Sequence, residues 1–276
     1  GGYRTSYKSI IKMTKYNPKE IAAELLKGKG YFVIENLFSK KDVIKAKKKL
    51  IELAKIKSPN ISKKDSLAVI SATNHIWNLI DKDEIFRKLV QHELIIKIFS
   101  IILGNELKLG SFAARIQQPG DKKQKPHLDY PYWDMYNLKS FPNNINSSFA
   151  MNCQLTIMID NFTLENGATM VGPGTQLRGY FPKEEEFWPI MKQATGKAGS
   201  VILTTGLLWH GAGANNSKKP RIGILGQYLP KFVKPMEDQL ASVDMKIIKK
   251  CSKKLQNLLG VNYPYPQVLD TSKGKN

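Results

Sequence analysis

Two stretches decide the fold: Lys125-Pro-His-Leu-Asp-Tyr-Pro-Tyr-Trp133 and Leu207-Leu-Trp-His-Gly-Ala-Gly213. In the first, Asp129 follows His127 by two residues, and on an extended chain residues i and i+2 point to one face. An imidazole and a carboxylate can therefore meet one metal ion from a single segment. Alone the pattern is weak, because Asp129 can equally pair with His127 or with a neighbouring lysine. His210 in the second stretch strengthens it. It lies 83 residues beyond His127, after Gly199-Ser-Val-Ile-Leu203, far enough for the chain to return on another strand of one barrel. Two imidazoles and one carboxylate on one face leave a non-haem Fe(II) ion three open positions. Zinc can use the same three ligands. The other histidines, His75 and His92, have no acidic residue at matching spacing on a strand and read as surface or packing residues.

Arg221 falls 11 residues after His210, where the apolar strand Ile222-Gly-Ile-Leu-Gly-Gln-Tyr228 begins. A guanidinium entering such a strand is costly to bury unless an anion meets it. A dicarboxylate held by a metal at one end and by the arginine fork at the other satisfies both groups. A rim arginine paired with a surface acid is the plainer alternative.

The texture around these residues is helices first and short strands second. Asn17-Pro18-Lys19-Glu20 is a helix start that should run to Lys27 and stop at Gly28. Gly30 to Leu37 reads as a strand, Ser39 caps a second helix, and residues 83–103 form one or two more, ending at Gly104. From Leu107 onward come short strands at 107–117, 149–160, 168–172, 199–204 and 221–229, separated by Pro/Gly/Asn turns, the habit of a sandwich or barrel. The expected organisation is one domain over 17–270: a helical part 17–104, a β core 107–230 and a C-terminal helix 236–259. Residues 1–16, opening Gly-Gly-Tyr-Arg, read as a disordered or vector-derived segment.

The chain has 276 residues, 42% hydrophobic and 24% charged, which excludes a disordered polypeptide. No apolar run reaches the ~18 residues of a membrane helix. Two cysteines make no disulfide framework, and a reducing, cytoplasmic setting is the expectation. The net charge of +20 is unusual, but residues 1–50 alone hold 13 Lys and Arg against 4 Asp and Glu. Only five of the 43 cations are arginine, the residue that base reading and phosphate clamping favour. No specific nucleic-acid partner is expected.

Taken in order, Gly30 to Phe38, His127-x-Asp129, Asp160 through Glu165-Asn-Gly167, the Pro173-Gly-Thr175 turn, Trp209-His210, Asn215 and Arg221 resemble the phytanoyl-CoA dioxygenase family of Fe(II)/2-oxoglutarate oxygenases. The similarity extends to about Tyr228. It implies a mostly β protein with flanking helices and a double-stranded β-helix (jelly-roll, cupin-like) core. It further implies iron held by His127, Asp129 and His210, and 2-oxoglutarate held by Arg221. The chain departs from the family at Gln176, where a non-ligand histidine is common, and at Ala212, where many members carry a serine that supports the cosubstrate. Thr156 and Gln117 are candidates to replace that serine. Arg115, Tyr130, Tyr132 and Trp133 are candidate substrate contacts.

The activity implied is hydroxylation of a small organic molecule, consuming O2 and releasing succinate and CO2. Relatives that halogenate carry a small residue at the carboxylate position, so Asp129 implies hydroxylation and not chlorination. Two rival readings are a non-catalytic β-barrel that binds a ligand and a basic oxygenase associated with nucleic acid. Oligomeric state, monomer or dimer, is not legible from these residues.

Overall fold

A computed structural model describes residues 15–55, 75–129 and 146–261. Helix α1 (Pro18–Lys27) begins as its cap residues dictate: the Asn17 side chain accepts from the Lys19 amide, proline takes the first turn and Gly28 ends it. Strand β1 (Tyr31–Ile34) and helix α2 (Lys40–Lys55) follow, the latter opened by Ser39, whose hydroxyl accepts from the Asp42 amide at 3.1 Å. After β2 (His75–Ile76) come α3 (Leu79–Lys82), α4 (Glu84–Val90) and α5 (Glu93–Leu103). The β region comprises β3 (Lys108–Gln117), β4 (Cys153–Met158), β5 (Thr169–Val171), β6 (Lys192–Ala194), β7 (Val201–Thr205), β8 (His210–Ala212) and β9 (Arg221–Leu229).

These strands form two antiparallel sheets, one of six strands in the order β1-β7-β4-β9-β3-β2 and one of three in the order β6-β5-β8. This is the jelly-roll core with flanking helices that the sequence leads one to expect. Side chains alternate along each strand, so the large sheet has two unlike faces. Phe112, Ala114, Leu155, Ile157, Leu203, Ile224 and Tyr228 pack into one core with Leu25 of α1, Leu89 of α4 and Ile95, Ile98 and Phe99 of α5. The Tyr228 hydroxyl crosses to the helical layer and donates to the Val90 carbonyl at 2.6 Å. The residues between them in sequence face the small sheet and line a cavity.

Three expectations require correction. The strand expected over Gly30 to Leu37 is only Tyr31–Ile34, since Asn36 turns the chain with φ 50°. The single C-terminal helix expected over 236–259 is three short ones, Gln239–Ser242, Met245–Lys250 and Lys253–Leu258. Asp238, Asp244 and Ser252 each turn a side chain onto a following amide, starting a new helix and breaking the previous one. Tyr16, assigned to a disordered leader, packs edge-on against Phe32 with ring centroids 6.2 Å apart.

Candidate metal centre

His127 and His210 face each other across an isolated antiparallel bridge, each amide donating to the other's carbonyl at 2.9 and 3.2 Å. His127 does not lie within a regular strand, and one bridge suffices to set its direction. The next contact along, from the Asp129 amide to the Gly206 carbonyl at 3.0 Å, turns the carboxylate to the same side. The imidazole rings are 4.4 Å apart, and one ligand atom from each of His127, Asp129 and His210 lies within 4.8 Å of the others.

The donor set fits a divalent metal. Nδ1 of His127 lies 3.2 Å from the Lys125 carbonyl and Nδ1 of His210 lies 2.9 Å from the Leu208 carbonyl. A carbonyl can only accept, so each Nδ1 carries a proton and each Nε2 is the atom left to face a metal, which at His210 requires the proton favoured by Asp129 to leave. Both Nε2 atoms turn toward Asp129, at 3.9 Å from Oδ1 for His127 and 3.1 Å from Oδ2 for His210. Burial pushes the Asp129 carboxyl up, but the charge and hydrogen bond of His210 outweigh it and hold the group at about 2. Burial and the like charge of His210 bring His127 down to about 4. Burial also lowers His210, yet Asp129 reverses this and raises it above the usual histidine value. At neutral pH the centre thus offers an ionised carboxylate at Asp129 and a neutral imidazole at His127, while Asp129 favours the protonated form of His210.

Motifs flanking the ligands are braces. In the Pro173-Gly-Thr175 turn, the Thr175 hydroxyl donates to the Gly172 carbonyl at 2.6 Å and accepts from the Trp209 amide at 2.9 Å. This fixes the residue preceding His210. Asn215 donates to the Gln117 and Lys219 carbonyls, tying the loop after β8 to the end of β3.

Arg221 is 5% exposed and also lines the cavity. Its Nη2 donates to Gln117 Oε1 at 2.5 Å, its Nε donates to the Asn166 carbonyl at 3.2 Å, and its guanidinium carbon sits 4.0 Å above the Phe162 ring. These partners are neutral, so the charge is oriented but not cancelled by contact. Burial and the nearby charge of Arg115 lower it to about 10, which leaves it a cation at neutral pH. Gly167 has φ +80°, and a Cβ there would lie 2.6 Å from the Gly213 carbonyl oxygen, so the position is closed to a side chain. Gly223 keeps the space beside Arg221 open, since a Cβ there would lie 2.9 Å from the Phe162 ring.

The cavity between the two sheets has a volume of about 280 Å³ and includes the triad, Arg115, Thr156 and Arg221. Gln117 is fully buried behind Arg221, its amide group donating to the Gly213 carbonyl. Its carboxamide oxygen accepts from Arg221 and so orients the guanidinium. Tyr130, Tyr132 and Trp133 lie outside the described residues. Sequence reasoning missed Gln124, which lines the cavity and accepts from the Ala212 amide at 2.9 Å. Its position three residues before His127 was the available signal. His75, read as a surface or packing residue, in fact lines the cavity and stacks on Trp77 with centroids 5.2 Å apart. His92 is a packing residue, edge-on to Phe38.

Comparison with known proteins agrees with this geometry. The family model described as Phytanoyl-CoA dioxygenase (PhyH) matches residues 26–223. Dioxygenase andF of Emericella variicolor is 24% identical over 88% of this chain and 85% of its own length. Dioxygenase trt7 of Aspergillus terreus is likewise 24% identical, over 88% and 84%. Among solved structures, the non-haem, alpha-ketoglutarate-dependent epimerase SnoN of nogalamycin biosynthesis has a TM-score of 0.60 at 16% identity, covering 79% of this chain and 84% of its own. A second SnoN structure, with Fe3+, alpha-ketoglutarate and nogalamycin RO, has a TM-score of 0.57 at 18% identity, covering 79% and 86%. The structural likenesses carry the fold, and the family match carries the membership: the chain belongs to the phytanoyl-CoA dioxygenase family of iron- and 2-oxoglutarate-dependent dioxygenases.

Proposed function

We propose that this dioxygenase hydroxylates a small organic molecule, with His127, Asp129 and His210 as iron ligands and Arg221 as the anchor of 2-oxoglutarate. The observation that carries the reading is the pairing of a three-donor cluster with a buried, uncancelled guanidinium in one cavity between the two sheets. When bound, iron with 2-oxoglutarate and O2 supplies the oxidising power to insert oxygen into a C–H bond, with succinate and CO2 released.

The residues of the chain position and protect that chemistry. His127 and His210 offer Nε2 because their Nδ1 protons are held by backbone carbonyls. Asp129 supplies an anionic oxygen and takes up a position that a halide would otherwise fill. Arg221, its fork oriented by Gln117 and Asn166, meets the distal carboxylate of the cosubstrate. Ile202, Leu225 and Ala113 give the cavity an apolar band. Among the described residues no helix is long and apolar enough to cross a membrane.

The test is a screen of small metabolites for substrate-dependent succinate release in the presence of Fe(II) and 2-oxoglutarate, with mass spectrometry of the product. A product heavier by one oxygen atom is expected. Metal and 2-oxoglutarate binding without turnover on any substrate would favour the ligand-binding relative.

A further inference from the structure

Away from Arg221, the cavity wall carries a row of polar side chains that the mechanism above does not use. Ser111 of β3 is the register partner of Gln227 of β9, which is the partner of Gln154 of β4, itself the partner of Thr204 of β7. All four line the cavity. The neighbouring row is mostly apolar: Ala113, Leu225, Thr156 and Ile202, again consecutive partners. Beyond it comes Arg115, opposite Gly223 and His75. The wall thus reads polar, apolar, cationic along the strands.

The polar row is not a satisfied structural network. Gln227 is 3% exposed, and its carboxamide oxygen is buried without a hydrogen-bond partner among the described residues. Gly110 admits this side chain, because a Cβ there would overlap the carboxamide. Arg115 has a buried Nε that is also unpaired among the described residues. Burial lowers the Arg115 guanidinium, with Asp121 and Asp129 acting from nearby to raise it. Buried polar groups are normally paired, and here the protein leaves the polar ends of two cavity-lining side chains incomplete. From Arg115 to Ser111 is four residues, about 13 Å along a strand. A volume of about 280 Å³ is at the small end for a binding cavity.

Resting on the reading of this cavity as the active site, we propose that the primary substrate is a compact polar carboxylate of amino-acid size. Its carboxylate meets Arg115, its aliphatic C–H segment crosses the Ala113–Leu225–Thr156–Ile202 row, and an amide, hydroxyl or amino group pairs with Ser111, Gln227, Gln154 and Thr204. A long hydrocarbon chain or a fused-ring terpenoid would leave both poles unpaired.

The experiment uses the full chain loaded with Fe(II) and 2-oxoglutarate, and two matched probe sets. One holds free amino acids and their hydroxy and amide analogues; the other holds alkanoic acids and neutral terpenoids without a second polar group. Substrate-dependent succinate release is followed in air, and binding by calorimetry under argon. Release is expected only from the first set. For its best member, Gln227→Met and Gln154→Leu should each weaken binding on the order of 10- to 100-fold. Arg115→Gln should do the same for the carboxylate, each loss falling on the substrate's constant and not on that of 2-oxoglutarate. Two glutamine variants are used so that a folding defect in one, seen as a lowered Tm, leaves the other decisive. Turnover of the apolar set, silence of the polar set, or glutamine variants that bind as well as wild type would overturn the proposal. An Arg115 variant that weakens only 2-oxoglutarate would overturn its carboxylate half. If 2-oxoglutarate itself fails to bind the unmodified protein, the fault lies with the proposed function and not with the substrate class.

Discussion

The two faces of the six-stranded sheet obey different rules. Toward the helices, the alternating residues are mostly apolar and buried, and Phe112, Leu155, Leu203 and Ile224 do what packing requires. Toward the small sheet, the intervening residues include two arginines, two glutamines and a serine, with the metal cluster opposite. The same strands that could have been buried on both sides keep one polar face. Polar groups in such a place lower stability unless a ligand completes them, so the inner face is where binding is expected and the outer face is where stability resides.

That contrast can be broken by substitution on either side. On the inner face, Asp129→Ala or His210→Ala should lower metal affinity and turnover by more than about 100-fold, since even residues that only support ligands cost 10–100-fold. Thermal unfolding of the metal-free variants should stay cooperative. Equal losses from His92→Ala would refute the ligand assignment. On the outer face, Leu203→Ala should remove ~2–5 kcal/mol of unfolding free energy in denaturant titration while leaving the 2-oxoglutarate constant of the folded fraction in place.

Between these extremes stands Arg221→Lys. Charge is kept and the fork is lost, so the apparent KM for 2-oxoglutarate should rise roughly tenfold or more, with little change in Tm. Unfolding of the variant would assign Arg221 to the outer-face class instead. A subtler test follows from protons. His210 has its pKa raised by Asp129, so metal uptake must displace its proton. Mn(II) affinity should therefore increase with pH, by about tenfold per unit while His210 remains protonated, and flatten above its pKa. His127, already brought down to about 4, adds no proton release near neutrality. A pH-independent affinity between 6 and 8 would sink this account of the centre.

Much of the site was legible because its parts are local. His127-x-Asp129 is a three-residue pattern, and Trp209-His210 and Arg221 lie close together in sequence, each with a distinct chemical reason to be where it is. What escaped reading depends on partners far apart in the chain. Strand β8, which carries His210, has three residues, too few for any periodicity, and exists because β5 pairs with it. The row Ser111, Gln227, Gln154 and Thr204 draws one residue from each of four strands, so only the register reveals it. Which group Gln117 serves depends on Arg221 lying directly opposite it in the register, which the sequence does not display. The C-terminal region kept helical spacing in its apolar residues, which masked three capping side chains that cut it into pieces.

The central claim is that one cluster and one arginine together hold the iron and its cosubstrate. Anaerobic titration of 2-oxoglutarate into the Fe(II)-loaded protein tests it most directly, through the visible charge-transfer band that arises only when the keto acid chelates the metal. The band should form in the unmodified protein, vanish in His210→Ala, and require roughly tenfold or more 2-oxoglutarate in Arg221→Lys. A band that forms equally well in all three would contradict the assignment of both residues.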